Sequence, residues 1–152
     1  MEQFIISGGT PLCGNISVDT AKNATLPIIA GTILTNEEIV LEELPIISDV
    51  NKMLEILRTM GAHVKREGRT AIIDTSFITK TEIPTDLAKE IRSSIFMLGP
   101  LLAKYRKATV AYPGGCDIGS RPIDLHLAGL RDLGVEIIED HGYICCNADH
   151  MK

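Results

Sequence analysis

The chain has 152 residues and a mass of 16.5 kDa, with 45% apolar and 23% charged side chains, a balance that supplies a core and excludes disorder. Fifteen Lys and Arg against twenty Asp and Glu leave a net charge of −5, which argues against a general nucleic-acid or anionic-membrane surface. The start, Met1 to Ile6, has no basic leader, and the apolar run Leu26 to Leu34 is too short to span a bilayer. Cys13, Cys116, Cys145 and Cys146 follow neither metal-ligand nor disulfide spacing. The expectation is a cytoplasmic protein with reduced thiols, no metal site, no cofactor, and neither nucleic acid nor membrane as partner.

In chain order, an opening strand is expected at Asn15 to Val18, then a helix over Lys22 to Leu34 and a strand at Ile39-Val40-Leu41. A second helical pattern stops at Gly61, the natural left-handed terminator. The alternating strand after it turns at Glu67-Gly68-Arg69 and returns over Thr70 to Asp74 as a hairpin. The pattern then recurs. Leu57-Arg58-Thr59-Met60-Gly61-Ala62-His63-Val64 aligns with Leu130-Arg131-Asp132-Leu133-Gly134-Val135-Glu136-Ile137 at an offset of 73.

The second copy is expected to open near Phe77 to Ile83 and to continue as one long helix, Asp86 to Tyr105, kinked at Gly99-Pro100. A strand over Ala108 to Tyr112 follows, and a hairpin turning at Asp140-His141-Gly142 closes with Tyr143 to Asn147. The fold class is α+β (mixed α/β): a β-α-β-α-β-β unit of roughly seventy residues, seen twice. Residues 1–21 form an opening strand region, and the units occupy 22–75 and 76–152. Two such units leave helical surface that a ring of three encloses, so the chain reads as a truncation of something longer.

Chemistry concentrates in Pro113-Gly114-Gly115-Cys116-Asp117-Ile118-Gly119-Ser120-Arg121-Pro122. Three glycines in six residues let backbone approach a ligand, and the loop feeds a helix with Pro122 expected in its first turn. The helix dipole and Arg121 favour the Cys116 thiolate, with Asp117 opposing. Lys22-Asn23 opens the first helix as a cation and an amide suited to an anion and a sugar hydroxyl. Arg92 sits near the start of the second unit's helix. Taken singly, these two read as ordinary surface residues. Asp124 reads as dipole compensation and His126 as a partly buried residue. Adjacent Cys145 and Cys146 on one strand must face opposite ways, giving a core thiol and an exposed one.

Three stretches together resemble the enolpyruvyl transferases, in particular the branch acting on UDP-N-acetylglucosamine: Ala21-Lys22-Asn23-Ala24 with Leu26-Pro27, Ile91-Arg92-Ser93-Ser94, and the loop from Pro113 through His126. The sister branch acting on shikimate 3-phosphate lacks the cysteine segment. The resemblance implies an inside-out α/β barrel of two domains with three units each, of which two units of one domain are represented here. The opening strand packs with the second domain in that family. It implies phosphoenolpyruvate and UDP-N-acetylglucosamine as substrates, with Cys116, Lys22 and Arg121 catalytic. Lys22, Asn23, Arg92, Arg121, Pro122, Ile123, Asp124 and Leu125 would line the substrates. The family's second domain supplies a further carboxylate and arginines, so the chain alone is expected to be inactive. The alternatives are a non-catalytic sugar-nucleotide binding fragment, or one that complements a separate C-terminal chain or self-associates through uncovered faces. One departure stands out: Asp19-Thr20-Ala21 replaces the family's usual Ser-Gly-Ala ahead of Lys-Asn, which bears on domain closure.

Overall fold

The computed structural model describes residues 3–9, 11–112 and 122–152. Its first unit comprises α1 (Lys22–Gly31) running into a 3-10 turn (Thr32–Leu34), β1 (Ile39–Leu41), α2 (Ser48–Met60), β2 (His63–Glu67) and β3 (Thr70–Asp74). The second comprises α3 (Thr85–Glu90), a 3-10 segment (Arg92–Met97), α4 (Leu98–Tyr105), β4 (Lys107–Ala111), α5 (Asp124–Asp132), β5 (Glu136–Asp140) and β6 (Tyr143–Asn147). Each unit carries a three-stranded antiparallel sheet, ordered β1-β3-β2 and β4-β6-β5. Within the first unit α1 packs against α2, and across the units α1 packs against the 92–97 segment and α4 against the 32–34 turn. One continuous core runs through both units, from Leu26, Ile29 and Leu57 to Leu101, Val110 and Ile144.

The 73-residue repeat is a repeat of tertiary contacts. Gly61 (φ 116°) and Gly134 (φ 91°) both stop a helix in the left-handed region, where a side chain is strained. Gly61 N–H donates to Arg58 and Ala62 N–H to Leu57, while Gly134 N–H donates to Arg131 and Val135 N–H to Leu130. The next helical carbonyl, Met60 or Leu133, accepts from Thr79 or Lys152 N–H, each at 3.1 Å. A Cβ on either glycine would lie 2.6 Å from the Phe77 carbonyl oxygen or 2.8 Å from that of His150. Gly thus both ends the helix and admits the returning backbone.

Three expectations fail. The long helix from Asp86 to Tyr105 is broken at Ile91, which is extended (φ −134°, ψ 128°) and buried, rather than kinked at Gly99-Pro100. Buried Ser94 stabilises the break: its Oγ donates to the Ala88 carbonyl at 3.2 Å, near the end of α3. Pro100 is the third residue of α4, where its missing N–H costs nothing. The expected strand near Phe77 to Ile83 is reduced to a parallel bridge at Glu82–Thr109, with Ile83 N–H donating to Thr109 O and Thr109 N–H to Thr81 O. Asn15 to Val18 is not a strand. Ile16 and Val18 are over 90% exposed, and extended backbone without a neighbouring strand forms no ladder.

Just beyond that segment the chain is pinned. The Arg69 guanidinium contacts both Asp19 oxygens, at 2.5 and 3.4 Å, and the Glu43 carboxylate at 3.1 Å. Thr20 Oγ1 donates to the Glu43 carbonyl at 2.6 Å, which Glu43's positive φ of 56° turns outward. Asp19 and Thr20 thus clasp the entering chain onto the first unit.

Candidate active site

A cleft of about 440 Å³ opens where the two units meet. Lys22 and Asn23 come from the start of α1, Asp49 from the start of α2, and Pro122, Ile123, Leu125 and His126 from the start of α5. Arg92, Ser93 and Phe96 form the wall opposite, and buried Leu26 belongs to the lining. Among the described residues, no side chain caps the first N–H groups of these three helices. Three helix N-termini, each carrying a partial positive charge, therefore converge beside Lys22 and Arg92. Such a cleft attracts anions, and its uncapped N–H groups are donors for phosphate or carboxylate oxygens.

The local sequence explains the placement. α1 starts at Lys22 because Thr25 Oγ1 and the amides of Ala24 and Thr25 all reach back to the Ala21 carbonyl. The extended Ile91 swings Arg92 out of the core and into the cleft, where its guanidinium donates to the Pro122 carbonyl at 3.2 Å. That bond ties the far end of the glycine-rich loop to the 92–97 segment. The near end is held at Tyr112, whose N–H donates to Gly142 O at 2.9 Å and whose hydroxyl donates to the Glu139 carboxylate. Glu139 also accepts from Arg131 at 2.7 Å.

Of the expected site residues, Lys22, Asn23, Arg92, Pro122, Ile123 and Leu125 meet in this cleft. Cys116 and Arg121 lie outside the described residues. Asp124 is the exposed first residue of α5 and is not part of the described lining. Pro122 is not in the first helical turn, because α5 begins two residues later and Ile123 (φ −111°, ψ 7°) is its non-helical flank. His126 is exposed rather than partly buried, and it lines the cleft. The sequence reading missed Asp49, Ser93 and Phe96. A signal for Asp49 existed: the 73-residue offset maps it onto Pro122, already singled out.

The cysteines divide as their strand positions require. Cys146 is buried and Cys145 and Cys13 are exposed. Burial, reinforced by neighbouring Cys145, pushes the Cys146 thiol up to about 11. It is therefore a neutral core group at physiological pH. Among the described residues no His, Cys, Asp and Glu cluster is arranged to hold a metal, and no helix is long and apolar enough to cross a membrane.

Comparison with known proteins identifies the family. The family model for EPSP synthase (3-phosphoshikimate 1-carboxyvinyltransferase) matches residues 6–150. UDP-N-acetylglucosamine 1-carboxyvinyltransferase 2 of Caldanaerobacter subterraneus subsp. tengcongensis is 49% identical over all of this chain and 36% of its own length. UDP-N-acetylglucosamine 1-carboxyvinyltransferase 1 of Carboxydothermus hydrogenoformans is 47% identical with the same coverage, and the Xylella fastidiosa relative is 43% identical over 95% of this chain and 35% of its own. The chain thus spans about a third of the curated relatives it matches. Two crystal structures share the fold. The enolpyruvyl transferase NikO from Streptomyces tendae has a TM-score of 0.79 at 23% identity, covering 95% of this chain and 32% of its own. EPSP synthase from Acinetobacter baumannii has a TM-score of 0.65 at 15% identity, covering 88% and 32%. With the family model spanning nearly the whole chain and curated relatives near half identity, the chain belongs to the enolpyruvyl transferase family, and its relatives within it are UDP-N-acetylglucosamine 1-carboxyvinyltransferases.

Proposed function

We propose that this chain forms one substrate-facing wall of an enzyme that transfers the enolpyruvyl group of phosphoenolpyruvate to the 3′-hydroxyl of UDP-N-acetylglucosamine, the first committed step of peptidoglycan synthesis, in the cytoplasm. The observation that carries the reading is the convergence of three uncapped helix N-termini with Lys22 and Arg92 on one cleft. Phosphoenolpyruvate carries a phosphate and a carboxylate, and this set of donors matches both. In the reaction a proton adds to the methylene carbon, the sugar oxygen bonds to the adjacent carbon, and a tetrahedral intermediate forms. Loss of a methyl proton and of phosphate then restores the double bond. Cys116 acts as the general acid for the first proton, and Lys22, Arg92 and Arg121 hold the phosphate and carboxylate as charge redistributes. Asn23 contacts the sugar nucleotide, and Pro122 to Leu125 form part of the wall around its diphosphate.

The chain spans about a third of its relatives. General-base and electrostatic contributions are each worth roughly 10²–10⁴-fold, so turnover by this chain alone is expected to be lower than that of a complete enzyme by several orders of magnitude. One observation favours assembly with a further chain: Phe4, Ile5, Ile6, Leu12, Ile16 and Val18 are all more than 85% exposed.

The test is the intact mass after treatment with fosfomycin, an epoxide that a thiolate opens by forming a sulfur–carbon bond while the ring oxygen takes up a proton. A single adduct, faster with UDP-N-acetylglucosamine present and missing in Cys116→Ala, is the expected result. Exposed Cys13 and Cys145 make that control necessary. Adduct formation unchanged in Cys116→Ala, or indifferent to the nucleotide, overturns the reading.

A further inference from the structure

We infer that Asp49 is a positioning residue for Lys22, acting through a carboxylate–ammonium bond that aims the lysine into the anion cleft; this rests on the reading of the cleft given above. Lys22 Nζ lies 2.8 Å from Asp49 Oδ2, across 27 residues of sequence and between the first turns of two helices. Both residues line the cleft. The Asp49 side chain is 27% exposed and that of Lys22 is 52% exposed. A pair this exposed adds little stability, so folding alone does not account for it.

A carboxylate in a cleft built for anions repels its ligand unless it does something else. Lysine has a flexible four-carbon stem and three N–H donors, and a free stem samples many rotamers before it meets a phosphate. Binding one donor to Asp49 leaves two for the ligand on an ammonium whose position is already set. That removes part of the ordering cost of binding. The dipole at the start of α2 stabilises the Asp49 charge in place. At the corresponding position of the second unit stands Pro122, which has no side-chain acceptor. Among the described residues, Lys22 of the first unit is the one lysine lining the cleft.

Pure electrostatics and positioning predict opposite signs, which makes the inference testable. Phosphoenolpyruvate affinity of the 152-residue chain would be measured by NMR titration for Lys22→Met, Asp49→Asn, Asp49→Glu and the double variant Lys22→Met/Asp49→Asn, each checked for an unchanged urea midpoint. Positioning predicts that Asp49→Asn weakens binding by about tenfold. It also predicts partial rescue in Asp49→Glu and no further loss when Asp49→Asn is added to Lys22→Met. Tighter binding in Asp49→Asn, or an equal loss in the Lys22→Met background, overturns the inference while leaving the anion cleft standing. No effect of Lys22→Met overturns the cleft reading itself.

Discussion

The helices α2 and α5 occupy corresponding places in the two units, end at corresponding glycines and precede corresponding hairpins, yet they are built to different standards. α2 runs thirteen residues and buries Val50, Met53, Leu54, Ile56, Leu57 and Met60, whereas α5 runs nine and buries only Leu127 and Leu130. Residue 129, opposite Ile56 in the repeat, is glycine. The three residues that form the first turn of α2, Ser48-Asp49-Val50, correspond to Arg121-Pro122-Ile123, ahead of α5. The first unit therefore uses this stretch for packing, whereas in the second Pro122 and Ile123 precede the helix and line the cleft. The repeat thus supplies two copies of one scaffold, and the two differ in how much of the α2/α5 helix they bury.

Truncating the buried leucines gives the largest test of this contrast. Leu57→Ala should cost about 4 kcal/mol and Leu130→Ala about 2 kcal/mol in urea denaturation, since the first site is fully enclosed and the second borders solvent. Equal losses would remove the distinction. The terminating glycines come next. Gly61→Ala should cost about 3 kcal/mol through left-handed strain and a clash with the Phe77 carbonyl. Gly134→Ala should cost less, because its Cβ would meet the His150 carbonyl at 2.8 Å rather than 2.6 Å, and the Phe77 ring is held by stacking on His63 at 4.3 Å.

A third contrast lies in the sheets. Cys146 occupies the position of Ile73 in the first unit. Its folded-state value of about 11 exceeds the unfolded value of 9.0, so its burial is without penalty below pH 9. Stability then falls as pH rises from 9 towards 11, by on the order of 2 kcal/mol. Alkaline denaturation of the parent chain and of Cys146→Val should differ above pH 9 and coincide below it; coincidence throughout would show the thiol to be immaterial. The smallest effect belongs to the Asp19–Arg69 clasp. Arg69 and the Thr20 amide hold the Asp19 carboxyl below its ordinary value. The clasp is therefore present above the usual carboxylate range and lost as pH falls through the lowered value. Amide NMR should show residues 11–20 released from the first unit in acid, or at neutral pH in Arg69→Gln, with global stability little changed. A pH-independent spectrum there would refute it.

Much of the fold was legible because it is local. The hairpins at Gly68 and Gly142, the stops at Gly61 and Gly134, and the alternating Cys145 and Cys146 depend on turn chemistry and side-chain period within a few residues. The 73-residue offset carried the same logic to the whole unit. Residue types suited to anions at Lys22 and Arg92 were equally visible, although singly each was indistinguishable from surface charge.

Tertiary structure alone decided what depends on partners far away in the chain. Nothing in the local sequence of Asp86 to Tyr105 marks Ile91 as a break, and the gain from burying Ile91 and bonding Ser94 to Ala88 places it there. Asn15 to Val18 alternates like a strand but has no neighbour to pair with among the described residues. Asp49 looks like any acidic residue in a first helical turn until folding sets it 2.8 Å from Lys22. Local pattern marks hairpins and helix stops, because turn geometry is settled within a few residues; which candidate strands find partners, which helix ends meet, and which charges face each other is settled by packing between segments tens of residues apart.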